Sequence, residues 1–205
     1  MGWDFDSKDG SSGTKVEFTK FPVGITKIRV IDEEPYVRWV HWLPQWKRSV
    51  NCPGKGCAIC EVRAQQKLNS QPYTYQVGKR LAMGIINRET GKVEVMEQGT
   101  GFYQDLRDIM MDLRGEGKKL IDVDLKVRRR GTGKDDTTYR IDLDVESPLN
   151  NTDVELIKGK VDLAEYLKPH TFDQILRLVQ GETWDDVMKR EDTTPEAKDE
   201  VIEIS

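Results

Sequence analysis

The segment from His41 to Cys60, HWLPQWKRSVNCPGKGCAIC, holds all three cysteines of the chain and one of its two histidines. Cys57 and Cys60 form a Cys-x2-Cys pair, a spacing that lets two thiolates converge on one metal ion from a tight turn. Cys52 precedes this pair across the sequence Pro-Gly-Lys-Gly. The two glycines of that turn can adopt positive φ and direct backbone N–H groups at sulfur, as a metal knuckle requires.

Three thiolates leave one position of a tetrahedral zinc site to be filled. On spacing alone His41 is the candidate, since ten residues separate it from Cys52, and His170 is the alternative. A redox pair would need a thioredoxin-like βαβ context and would leave Cys52 without a role, and three unrelated buried thiols are a further alternative. We therefore predict a closed structural site for Zn²⁺, with no open position for catalysis. Its ligands are His41, Cys52, Cys57 and Cys60.

The strand that carries His41 predicts a face on which aromatic rings and a cation are mixed, because strand residues alternate between two sides. That face takes Tyr36, Arg38, Val40 and Trp42. The opposite face takes Val37, Trp39, His41 and Leu43. Val37 and Leu43 are candidates for the core. Because His41 shares their face, we expect it to lie at the point where this strand leaves the core β structure.

A later hairpin predicts a second basic stripe. The residues expected on its core side are Val123, Leu125, Val127, Tyr139, Ile141 and Leu143. Those then expected on its outward side are Lys126, Arg128, Arg130 and Arg140.

Aromatic rings interleaved with cations predict a surface for single-stranded nucleic acid, because bases stack on the rings while the cations neutralise phosphates. The candidate contacts are Tyr36, Arg38, Trp42, Trp46, Lys47, Arg48, Lys55, Tyr73, Tyr75, Lys79, Arg80, Lys126, Arg128, Arg130 and Arg140. For each residue taken alone, a solvated charge or a core aromatic is the competing interpretation.

Charge is unevenly distributed along the 205 residues, whose net charge is -4. Residues 20–140 carry 23 Lys and Arg against 15 Asp and Glu, whereas residues 141–205 carry 7 against 17. A basic body favours a polyanionic partner. An acidic C-terminal region favours competition with that partner or the recruitment of other proteins.

Composition narrows the class of protein. The chain has no run of 18 apolar residues, and its N terminus lacks the basic and apolar regions of a signal peptide. We expect a soluble, cytoplasmic protein without membrane contact, and three clustered cysteines fit a reducing compartment. We do not expect an enzyme, because no Ser/His/Asp set, P-loop or open metal site is recognisable.

The predicted elements run in the order strands, helix, strands. The helix is marked by apolar residues at helical spacing, namely Phe102, Leu106, Ile109, Met110 and Leu113. About five strands, with that helix between strands 3 and 4, predict a mainly β protein: an OB-type Greek-key barrel with an inserted zinc knuckle. The predicted segments are a flexible arm 1–13, the OB domain 14–150 with the knuckle at 41–60, a short helical region 151–190 and a disordered acidic tail 191–205.

The chain resembles, over about residues 15–145, the zinc-containing OB-fold single-stranded DNA-binding proteins of tailed bacteriophages, including the T-even type. The resemblance rests on RWVHWLPQWKRSVNCPGKGCAIC, RLAMGIINRETGKVEVMEQG, FYQDLRDIM and the basic hairpin KVRRRGTG with TTYRIDL. It implies that one histidine and three cysteines hold zinc beside the DNA cleft. It also implies that acidic C-terminal tails contact other replication proteins.

Two features depart from the T-even pattern. The metal ligands are more closely spaced, and the N-terminal arm is acidic where the T-even type has a basic arm for cooperative filament contacts. The resemblance therefore does not extend to cooperative binding through the N terminus, and self-association on DNA stays open.

These features together predict a protein that coats and protects single-stranded DNA during replication, recombination and repair, largely without sequence preference. Replication or recombination proteins would bind its acidic tail, and its location would be the host cytoplasm if a phage encodes it. The alternatives are an RNA-binding or transcription-regulating OB/zinc-ribbon protein and a zinc-stabilised protein scaffold.

Overall fold

The structure is a computed structural model that describes residues 16–133, 135–146 and 148–189, and the side chains of Val145 and Lys189 are not described. The described strands are β1 Gly24–Val30, β2 Tyr36–Leu43, β3 Arg48–Asn51, β4 Gln76–Asn87, β5 Lys92–Gln98, β6 Val123–Arg130 and β7 Thr138–Glu146. The helices are α1 Ala58–Leu68, α2 Thr100–Gly115, α3 Asn151–Lys158, α4 Leu163–Tyr166, α5 Phe172–Val179 and α6 Trp184–Lys189, with a 3₁₀ turn at Leu120–Asp122. The predicted arm 1–13 and acidic tail 191–205 lie outside the described residues.

The chain divides into two compact units, and the division runs through the predicted 14–150 domain. The first unit comprises residues 1–35 and 82–162, and the second comprises 36–81 and 163–205. Strand β4 contributes its first residues, up to Leu81, to the second unit and the remainder to the first.

In the first unit β1 is the central strand. It pairs antiparallel with β4, where Val30 lies opposite Ile85, and with β6, where Ile28 lies opposite Leu125. β6 in turn pairs antiparallel with β7, and β5 pairs with β4. Alternating apolar residues of β1 and β6 are buried, as their period-two patterns predict, and Tyr103 of α2 donates from its hydroxyl to Met96 O at 3.1 Å.

A buried charge network also belongs to the first unit. Arg29 is fully buried, and its Nε lies 2.7 Å from Asp124 Oδ1. Arg88 Nε donates to the same oxygen at 3.0 Å and Arg88 Nη2 donates to Asp153 Oδ2 at 3.1 Å. Because Asp153 is the third residue of α3, and its backbone N–H donates to the Asn150 cap, the network fixes the start of that helix.

The second unit contains the antiparallel pair β2–β3, with His41 opposite Val50, and the helices α1, α4, α5 and α6. Its buried core draws on both stretches of chain, with Leu43, Val50 and Ile59 packed against Ile175 and Leu178. The C-terminal helices therefore cover the cysteine segment.

A mainly antiparallel β architecture is confirmed, but the five-stranded closed barrel is not. The described residues form seven strands, and their pairing ends at β7 in the first unit and at β3 in the second, so the sheet is open. Phe18, before β1, makes an isolated parallel bridge with Val95, and β3 lies inside the cysteine segment. The main helix α2 follows the fifth strand instead of the third.

Thr171 caps α5, its hydroxyl accepting from Gln174 N at 3.1 Å. Within the described residues, no helix has both the length and the apolar character needed to cross a bilayer.

Candidate metal centre and nucleic-acid surface

The second unit brings the four predicted metal ligands together. The ligand atoms of His41, Cys52, Cys57 and Cys60 all lie within 4.8 Å of one another. His41 Nε2 lies 3.4 Å from Cys57 Sγ and 3.5 Å from Cys60 Sγ, and the sulfurs of Cys52 and Cys60 are 3.7 Å apart.

These distances match the edges of a zinc tetrahedron. Bonds of about 2.3 Å to sulfur and about 2.0 Å to nitrogen, at tetrahedral angles, place sulfurs about 3.8 Å apart and sulfur about 3.5 Å from nitrogen. If the remaining pairs of ligand atoms, now up to 4.8 Å apart, moved closer together, the four atoms would form the complete tetrahedron. The cluster is thus compatible with a metal site whose protein ligands fill all four positions.

Local sequence explains how the ligands converge. His41 lies on β2, Cys52 follows β3 directly, and the pair Cys57 and Cys60 lies at the cap and first turn of α1. Gly54 and Gly56 both have positive φ, at 82° and 74°, as the sequence predicts for a knuckle. The Gly54 N–H points at Cys52 Sγ, 3.3 Å away.

Burial shifts the pKa values of three of the four ligands. Burial, and secondarily the charge of Arg63, lowers the pKa of His41, so its imidazole is neutral at pH 7 and can offer a lone pair. Burial raises the pKa of the Cys57 thiol, while burial and the hydrogen bond with Cys52 raise the pKa of Cys60 to about 12. Because such thiols keep their protons at neutral pH unless a metal displaces them, a bound cation is what would make this donor set anionic.

His170, the alternative ligand, has a different role. Its Nδ1 accepts a hydrogen bond from the backbone N–H of Asn51 at 2.9 Å, and the backbone N–H of His170 donates to Asn51 O at 3.2 Å. The Asn51 side chain donates from Nδ2 to the carbonyls of Leu167 and Lys168, each at 3.0 Å. Asn51 therefore joins β3, one residue before Cys52, to the start of the C-terminal helices. We call this set of hydrogen bonds the Asn51 clamp.

The predicted nucleic-acid residues of the second unit divide by exposure. Tyr36, Arg38, Trp42 and Arg48 are half-buried, whereas Lys47, Lys55, Tyr73, Lys79 and Arg80 are exposed. Arg38 Nη1 donates to Asn51 Oδ1, and the Arg48 guanidinium lies 5.0 Å from the centre of the Trp184 ring. These positions stay candidates for binding.

Two aromatic candidates of this unit have structural roles instead. Tyr75 is buried in the core, which corrects its assignment as a stacking residue. Trp46 packs against the same core and donates from its indole Nε1 to Leu178 O at 3.2 Å. Both rings therefore contribute to the packing of the second unit.

Two residues that the sequence did not single out as binding candidates, Trp39 and Arg63, lie in the same unit as these candidates. Trp39 was placed on the face of the core candidates, yet it is 52% exposed, and its neighbour on that face, Val37, is 45% exposed. Only His41 and Leu43 on that face are buried, because the core covers one end of β2. Arg63 stacks its guanidinium 4.0 Å from the centre of the exposed Tyr73 ring. The short helical segment after the cysteines was the available signal for Arg63.

The β6–β7 hairpin of the first unit carries the second basic stripe, and Val123, Leu125 and Val127 are buried as predicted. Arg130 and Arg140 are exposed, and Arg140 lies directly opposite the half-buried Arg128 in the strand register. The four outward candidates differ in their partners. Arg140 Nε donates to Asp142 at 2.8 Å, and Lys126 pairs with Asp144.

One residue of this hairpin departs from its predicted place. Leu143 was expected in the core but is 48% exposed, although it lies opposite the buried Leu125; its strand, β7, is the last of its unit. The like-charged pair of Arg128 and Arg140 would be destabilising by itself, so an anion bound there would relieve it.

Comparison with protein-family models and with curated proteins finds no match for this chain.

Proposed function

We propose that this protein binds single-stranded DNA with little sequence preference, and that a structural zinc ion holds part of its binding surface. The proposal rests on one observation: positively charged side chains and exposed aromatic rings occur in the same segment of the chain. Residues 36–81 contain eight Lys and Arg but a single acidic residue, Glu61. The same segment exposes the rings of Trp39 and Tyr73.

Each component has a physical task. Cations neutralise phosphates and release counterions, and exposed rings stack on bases at about 1–3 kcal/mol per base, whichever base it is. Duplex DNA does not present its base faces, so this combination favours unpaired strands. The family resemblance supports the same reading and adds replication, recombination and repair as the setting.

Zinc suits the donor set best, because three thiolates and one imidazole in tetrahedral geometry are a common structural zinc combination. His41, Cys52, Cys57 and Cys60 would hold the ion, which would neutralise the thiolates and fix the segment between β2 and α1. With four protein ligands no position remains for water, so the metal would act on structure and not on chemistry. Recruitment of replication proteins is assigned to the acidic tail, which lies outside the described residues.

A titration of fluorescein-labelled dT oligomers, followed by anisotropy at several salt concentrations, tests the proposal. Binding through about four phosphate contacts predicts a slope near -3 in a plot of log affinity against log salt. Lys79→Gln with Arg80→Gln should make the slope shallower. Arg107→Gln, an exposed cation beside Asp108 on α2, is the control and should leave it unchanged.

Affinity that hardly changes between low and moderate salt would refute the electrostatic part of the proposal. A matched U oligomer that binds more tightly than dT would favour the RNA-binding alternative. A protein scaffold would bind neither strand and would show no tryptophan quenching on addition of dT.

A further inference from the structure

An exposed tryptophan is the least expected residue on a metal-holding strand. Trp39 is 52% exposed although large aromatic side chains are usually mostly buried, and Val37 beside it on the same strand face is 45% exposed. The exposed ring offers its face to a ligand that has a complementary flat face. Nucleobases have such a face.

Backbone geometry ties Trp39 to the metal centre. The N–H of Cys52 donates to Trp39 O at 2.8 Å, one step along the β2–β3 ladder from the pair of Val40 with Asn51. Residues opposite each other in an antiparallel ladder point to the same side of the sheet. Trp39 therefore lies on the side of the β2–β3 pair on which His41 of β2 and Cys52, directly after β3, also lie.

We infer that Trp39 is the ring on which a base of the bound strand stacks, and that the metal-held Cys52 positions it. This inference rests on the proposed function, and it replaces the ring of Tyr75, which the core covers. Charge complementarity identifies the occupant, since the segment around Trp39 has eight cations against one acid. Strand β4, which is hydrogen-bonded to β2 in the sheet, supplies some of them, because it carries Lys79 and Arg80.

The first experiment compares dT binding by four proteins in equal low-salt buffer. Trp39→Ala should raise Kd about 5- to 150-fold, the range of one lost stacking contact. Trp39→Phe keeps a ring and should stay within about 3-fold of the parent protein, while losing part of the tryptophan quenching. Phe172→Ala removes a 43% exposed aromatic of the same unit from a helix and should leave Kd unchanged.

The outcomes separate the inference from the function. Tight dT binding by the parent protein with an unchanged Kd for Trp39→Ala would overturn the stacking role and leave the function standing. Failure of the parent protein to bind dT would overturn the function itself. Equal weakening by Trp39→Ala and Phe172→Ala would show a loss of structure, and it too would overturn the stacking role.

The second experiment tests the positioning by Cys52. Trp39→Ala is combined with Cys60→Ser, which breaks the ligand set at its most exposed cysteine. If the metal positions the ring, the fold-loss caused by Trp39→Ala should fall to less than about half in that background. An undiminished loss would overturn the positioning role.

Cadmium exchange provides a second measurement if Cys60→Ser does not fold. The larger ion should shift the Trp39 indole N–H resonance, which is assigned by its absence in Trp39→Phe. A resonance that does not move would equally overturn the positioning by Cys52.

Discussion

The Asn51 clamp predicts how strongly the metal segment depends on the C-terminal helices. Asn51→Ala removes the donor that serves the carbonyls of Leu167 and Lys168 and the acceptor that serves Arg38. Each buried polar group left without a partner costs about 1–3 kcal/mol. Only the hydrogen bond with Leu167 is fully buried. The Lys168 carbonyl and the Arg38 guanidinium can instead bind water and recover part of the cost, so we expect the free energy of unfolding to fall by about 3 kcal/mol.

Urea unfolding, followed by tryptophan fluorescence and by metal release to a colorimetric chelator, measures this loss. Both signals should move to lower urea together, because the clamp lies one residue from Cys52. Asn51→Asp should be worse than Asn51→Ala: neither residue can donate to the two carbonyls, but the carboxylate also places a negative charge against their oxygens. Asn69→Ala, an exposed asparagine after α1, is the control and should change stability by less than about 0.5 kcal/mol. A loss below about 1 kcal/mol for Asn51→Ala would refute the reasoning.

Three further predictions concern the metal, the charge network and the chain end. Purified protein should contain one zinc ion per chain by elemental analysis, and Cys57→Ser should lose it; zinc retained with unchanged folding would contradict the ligand assignment. The hydrogen bond from Arg88 holds the pKa of Asp153 below its usual range, so this pair stabilises the fold above about pH 4 and less as pH falls through the lower folded value. Asp153→Asn should lower the free energy of unfolding by about 3 kcal/mol at pH 7. In a plot of urea midpoint against pH, the variant should also show a flatter acid side than the parent protein; parallel curves for the two proteins would contradict this. A chain ending at residue 189 should keep its metal, and one ending at 162 should lose it; equal metal contents would contradict the cover by α5 and α6.

Local patterns made much of this structure predictable. The strand carrying His41, the basic hairpin and the helix containing Leu106 follow from periodicity over a few residues, and ligand spacing sufficed to select the metal cluster. Thr171 as a cap depends on three neighbouring positions. Each of these features is decided by residues close together in the chain.

Long-range packing decided what the sequence could not show. Tyr75 and Trp46 look like exposed aromatic residues in a basic segment, but a core completed by Ile175 and Leu178 covers or anchors them. Trp39 shares a strand face with core candidates, yet the core ends before it reaches that position. Strand pairing across the whole chain likewise determines that the sheet stays open, and no local pattern reports it.

The discontinuity of the second unit has a consequence for biosynthesis. All four metal ligands have been translated by Cys60, but α6, which helps to cover them, ends at Lys189, roughly 130 residues later. At about 5–20 residues per second, the cysteine segment would wait about 6–26 seconds for its cover. Because a chain that ends at 162 is expected to lose its metal, stable loading of zinc would follow the synthesis of α5 and α6 and would not accompany that of the cysteine segment.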